Sequence, residues 1–141
     1  MNKVVVFGPG PMFKGGIANY TISLAKALDK LENTKVYIVS WTNQYPSIIP
    51  RDFVDKSSKT DLLEGTDINV IYVTDYNKPN SWNKTVEIIK NIDPQKVIFQ
   101  WAIAIQGLPM GYIAKKLKKT TKAEIIFDLH VVKQKESSII D

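Results

Sequence analysis

The 141-residue sequence contains no cysteine and only one histidine, His130. Disulfides and thiolate metal sites are thereby excluded, and no ligand cluster with metal-binding spacing can be assembled. Long apolar runs are missing too. The first, Val4-Val5-Val6-Phe7, is broken by Gly8-Pro9-Gly10-Pro11, too early for a signal-peptide core. No run approaches the length of a spanning helix, which needs about 20 apolar residues. A soluble, cytoplasmic chain is the expectation. Acidic residues are the minority, 14 against 19 Lys and Arg, for a net charge of +5. Much of that excess sits in "KKLKKTTK", residues 115–122, without the interleaved aromatics or signature of an RNA-binding surface. Nucleic acid is therefore not an expected partner. Lys115, Lys116, Lys118 and Lys119 read either as a solvated helix end complementing the macrodipole or as a peripheral contact with anionic lipid.

What is present is the composition of one globular domain, 44% hydrophobic and 23% charged. Strand and helix patterns alternate along it. Residues 3–8 form a continuous apolar run, as in a parallel strand buried on both faces. From about 16 to 32, Ile17, Tyr20, Leu24, Leu28 and Leu31 recur at helical spacing. Further strands are expected at 35–41, 68–74, 96–101 and 123–129. Ser81 is placed to cap a helix carrying Trp82, Val86, Ile89 and Ile92, and Pro109 suits the first turn of a helix reaching about 119. The polar stretch 43–68 is too long for a bare connector and is expected to hold a surface loop or a short helix.

Such alternation implies an α/β fold: a Rossmann-like, doubly wound parallel sheet of about five strands in three αβα layers. Right-handed crossovers make 3-2-1-4-5 the expected order. Ligands of these sheets bind beyond the carboxyl ends of the strands where the winding reverses, here between strands 1 and 4. The loop after strand 1, residues 9–16, opens there, expected to be exposed and to face the segments after strands 4 and 5.

Three common readings of that loop fail. Gly8-x-Gly10 is followed by Phe13 where a dinucleotide fingerprint needs its third glycine, and strand 2 ends without a ribose-binding acid. "GPMFKGGI" lacks the Lys-Ser/Thr pair of a phosphate-binding P-loop. Strand 1 carries no acid for a phosphoacceptor site. Gly15-Gly16 at a helix start would let a ligand approach the backbone closely, with unpaired first-turn amides aimed at a phosphate or a sugar hydroxyl. A glycine turn that merely reverses the chain is the competing reading.

"FGP…FKGGIANYTISLAKAL" resembles the first loop and helix of retaining glycosyltransferases of the two-Rossmann-domain (GT-B) type, specifically glycosyltransferase family 4. The likeness continues through "VIFQWAIAIQGLPMGYIAKKLKK" to "KAEIIFDLHVVKQKESSIID". It implies an N-terminal, acceptor-side domain, with a nucleotide-sugar donor held mainly by a C-terminal GT-B domain absent from these residues. The acceptor would be a saccharide or a lipid-linked saccharide. Gly15 and Gly16 would contact the donor diphosphate, and His130 would line the cleft near the transferred sugar as the candidate catalytic residue. Where the family often has an acid directly after that histidine, this chain has Val131, with Asp128 before it. No Asp-x-Asp pair of the metal-dependent class occurs, so neither metal nor other cofactor is expected. Trp41, Tyr45, Trp101 and Tyr112 could stack on sugar rings or lipid, or simply pack. A two-chain glycosyltransferase, or a non-catalytic nucleotide- or sugar-binding module, remains the alternative.

Overall fold

The computed structural model describes residues 1–13, 15–46 and 62–130. Strand β1 (Asn2–Phe7) leads into helix α1 (Gly16–Asp29), followed by β2 (Thr34–Asn43) and β3 (Asn69–Asp75). Helix α2 (Pro79–Ile92), β4 (Lys96–Trp101), a 3-10 turn (Ala104–Gln106), α3 (Gly107–Thr120) and β5 (Glu124–Leu129) complete the order. The five strands form one sheet in the order β3-β2-β1-β4-β5, and every pairing is parallel. The expected doubly wound α/β architecture is present, with β1 at the centre.

The apolar strands divide their side chains between the two faces, as alternation along a strand requires. Val5, Phe7, Val39, Trp41, Val97 and Phe99 pack with Trp82, Val86 and Ile89 of α2 and Met110, Ile113 and Leu117 of α3. On the opposite face Val6, Val36 and Ile38 pack against Ala25, with Leu24 and Leu28 of α1 at the margin. Burial on both faces explains the apolar runs at the centres of β1, Val4 to Phe7, and β4, Val97 to Phe99.

Several local expectations are corrected. Helix α1 stops at Asp29, so Leu31 lies outside it and exposed, and Tyr20 is exposed as well. The buried face of α1 is instead Ala18, Thr21, Ile22 and Ala25, of which the two alanines and the threonine are small enough to let the helix lie close to the sheet. Ser81 does not cap α2, which begins at Pro79 with Lys78 at the cap position. Its hydroxyl accepts from the Asp75 amide at 2.9 Å and donates to the Lys78 carbonyl at 2.7 Å, tying the β3–α2 turn together. Pro109 does lie in the first turn of its helix, α3, which starts at Gly107 directly after the 3-10 turn and runs to Thr120. Strand β5 is an edge strand with Phe127 and Leu129 exposed. Most of the 43–68 stretch expected to hold a loop or short helix, residues 47–61, lies outside the described residues, as does Lys14.

Candidate functional site

The glycine loop is half packed and half open. Beyond β1, the Gly8 amide donates to the Val39 carbonyl at 3.1 Å, and the Gly10 amide to Ser40 Oγ at 2.8 Å. The Met12 amide donates to the Tyr72 hydroxyl at 3.0 Å, and Phe13 plugs the core. Side chains of β2 and β3 thus grip the loop. A Cβ at Gly10 would stand 3.2 Å from both Ser40 Oγ and the Tyr72 ring, so this glycine admits a close approach. Burial pushes the Tyr72 hydroxyl above its ordinary pKa of 10.0, opposed by the hydrogen bond from Met12. The expectation that the whole 9–16 loop is exposed is therefore corrected: Pro9, Gly10 and Phe13 are buried, and the exposed part is Gly15-Gly16.

Gly15 takes φ +111, and among the described residues nothing stands within 4 Å of a Cβ built on it or on Gly16. No side chain caps α1, whose first hydrogen bond runs from the Asn19 amide to the Gly15 carbonyl at 3.1 Å. The amides of Gly16, Ile17 and Ala18 therefore have no partner within the helix. They border a cleft of about 140 Å³ that Gly15, Gly16 and Pro9 share with Gln44 and Tyr45 after β2 and with Ala102, Ile103 and Gln106 after β4. This is the carboxyl edge of the sheet at the β1/β4 reversal. Among the described residues, those lining the cleft carry no charged side chain. Gln106 is buried, its amide nitrogen 3.4 Å from both the carbonyl and the side-chain oxygen of Gln44. A larger open groove of about 780 Å³ runs between β3 and the start of α2, on the sheet's edge and away from the reversal. Position and backbone geometry favour the smaller cleft.

His130 follows β5, its amide extending the ladder to the Trp101 carbonyl at 2.8 Å. Its ring Nε2 lies 2.5 Å from Gln100 Oε1 and 3.4 Å from Asp128 Oδ2, and the ring meets that of Tyr20 in a T-shaped contact, centroids 4.3 Å apart. Gln100 and Asp128 are register partners across β4 and β5, so both side chains leave the sheet on one face. The acid that precedes the histidine reaches the ring that a following acid would have served. Tyr20 lies one helical turn beyond Gly16, so His130 sits beside the glycine cleft and is not among its lining residues.

No protein-family model matches the chain, and no curated protein matches it.

The remaining candidates fall in different places. Trp101 donates its indole N–H to the Ile103 carbonyl at 2.7 Å and packs against Phe127, bracing the turn after β4. Trp41 is fully buried against Phe7. Tyr112 donates to Asn83 Oδ1 at 2.6 Å and lies against Trp82 between α2 and α3. Of these four aromatics Tyr45 lines the cleft. Lys115, Lys116, Lys118 and Lys119 are all exposed, with Lys116 over the Tyr112 ring. Lys115 and Lys118 flank a shallow groove floored by Ile125 and Phe127. Among the described residues no group of three or more His, Cys, Asp or Glu could hold a metal ion. No helix there is long and apolar enough to cross a membrane. Sequence reasoning missed Ser40, Tyr72, Gln100 and Gln106. Gln100 carried a readable signal, a carboxamide inside the apolar strand "VIFQW".

Proposed function

We propose that this chain is the acceptor-side half of a retaining, metal-independent glycosyltransferase of the two-Rossmann-domain type. It would transfer a sugar from a nucleotide-sugar to a saccharide or lipid-linked acceptor. One observation carries the reading: Gly15, at φ +111, opens an uncapped helix whose free amides border a cleft at the winding reversal. A departing nucleoside diphosphate gains negative charge as the glycosidic bond breaks. Fixed backbone dipoles aimed at that charge stabilise it without reorganising, and a side chain on either glycine would occupy the approach. The described side chains lining the cleft are uncharged, and the full countercharge is assigned to a second, donor-holding domain, in the same polypeptide or a partner subunit. His130, packed against Tyr20 one turn along α1, is assigned a role near the sugar being transferred. The exposed lysines of α3, beside the apolar groove at Phe127, are assigned to a peripheral contact with anionic lipid.

The direct test supplies the chain together with its donor-binding half. A panel of labelled nucleotide-sugars is offered with saccharide and lipid-linked acceptors, with and without EDTA. Consumption of a nucleotide-sugar, insensitive to EDTA, with the donor's anomeric configuration kept in the product, is expected. Transfer with inversion, or transfer abolished by EDTA, contradicts the assignment.

A further inference from the structure

Gln100 is 1% exposed, yet it carries a carboxamide on a strand whose neighbours Val97 and Phe99 are core residues. Its Oε1 faces His130 Nε2 at 2.5 Å, while its own Nε2 has no hydrogen-bond partner among the described residues. The chain makes room for it: a Cβ at Gly8 would stand 3.0 Å from Gln100 Cβ and 3.2 Å from its Cγ.

A carboxamide facing a ring nitrogen allows two self-consistent states. Either the amide oxygen accepts from a protonated Nε2, or the amide NH2 donates to an unprotonated one. The oxygen and nitrogen of such an amide are assigned from their surroundings, so a third group must decide. Asp128 provides it. An ionised carboxylate only accepts hydrogen bonds, and Asp128 Oδ2 lies 3.4 Å from the same Nε2. A lone pair on Nε2 would face that carboxylate unfavourably, whereas an N–H satisfies both oxygens. Tyr20, edge on at 4.3 Å, holds the ring plane.

We propose that Gln100 is a positioning residue for His130: it fixes the neutral imidazole with its proton on Nε2, leaving Nδ1 as the acceptor for a ligand hydroxyl. The functional value of that acceptor rests on the glycosyltransferase reading, in which the ligand hydroxyl belongs to a sugar. The tautomer does not.

His130 is the chain's sole histidine, so its ring signals are unambiguous. Long-range proton–nitrogen correlation spectra of the 15N-labelled chain, at a pH where the imidazole is neutral, report which nitrogen is protonated. The expected result is a protonated Nε2, an unprotonated Nδ1, and a ring N–H proton shielded from exchange with water. Gln100→Leu should lose that shielded proton, and Gln100→Glu, which restores an oxygen of similar reach, should keep it. If Gln100→Leu does not fold, Gln100→Asn, one methylene too short, takes its place with the same expected loss. A proton on Nδ1 in the unaltered chain overturns the proposal. So does a shielded N–H unchanged in a folded variant lacking the Gln100 oxygen. No sugar donor enters the measurement, so it remains decisive even if the chain transfers no sugar.

Discussion

At Gly15 the backbone holds φ +111 with open space around it, whereas at Gly16 the space is equally open and the conformation is that of an ordinary first helical residue. The two positions should therefore respond differently to a methyl group. Gly15→Ala meets backbone strain and is expected to lower stability by about 1 to 2 kcal/mol. Gly16→Ala should be neutral or raise stability by about 0.5 kcal/mol, since alanine loses less conformational freedom in a helix. Thermal melts of the two variants check this, and equal destabilisation would show that Gly16 is also constrained. Tyr72 gives a second test. Its folded pKa lies above 10.0, so folding favours the neutral phenol. Its contribution is fully present below pH 10 and declines as pH rises through the folded pKa. Tyr72→Phe should flatten that part of the alkaline stability loss, and an unchanged profile would assign it to other groups. The glycine pair was legible because a Gly-Gly before a helical pattern is rare punctuation. The grip of Ser40 and Tyr72 on the loop was not, because it depends on which strands become neighbours.

Helix α1 shows where element-scale reading fails. Large apolar residues mark the helix correctly, but its closest approach to the sheet is made by Ala18, Thr21 and Ala25, which a periodicity of bulky side chains passes over. Strands β1 and β4 were readable because burial on both faces leaves their centres, Val4 to Phe7 and Val97 to Phe99, without a polar interruption. Ser81 looked like a cap from its position, yet its hydroxyl serves the turn before the helix. Helix α3 carries the element-scale prediction. With Lys115, Lys116, Lys118 and Lys119 all exposed, the chain should bind vesicles rich in anionic lipid and release them as salt rises. Exposed charges are screened over about 10 Å at 0.1 M salt. Replacing all four lysines by glutamine should abolish binding, and undiminished binding by that variant would leave the cluster a solvated helix end.

The strand order β3-β2-β1-β4-β5 was legible at the scale of the whole molecule because crossover handedness and buried strands leave few alternatives. The cleft's composition was not legible, since Gln44 and Gln106 meet there from segments 62 residues apart. On the proposed function a second domain would supply one wall of the site, so the 141 residues alone should not transfer sugar at an appreciable rate. Closure between two domains excludes water and completes such sites. Robust turnover of a nucleotide-sugar by the isolated chain would contradict that division of labour. The most direct test of the central claim, that Gly15-Gly16 cradle a diphosphate, is Gly16→Val in the enzyme containing both halves, with melting temperature and specific activity measured together. We predict a fold retained to within about 1 kcal/mol, since the position is open, and transfer reduced by about two to three orders of magnitude. A variant that is destabilised yet fully active per folded molecule would show that the glycines only turn the chain.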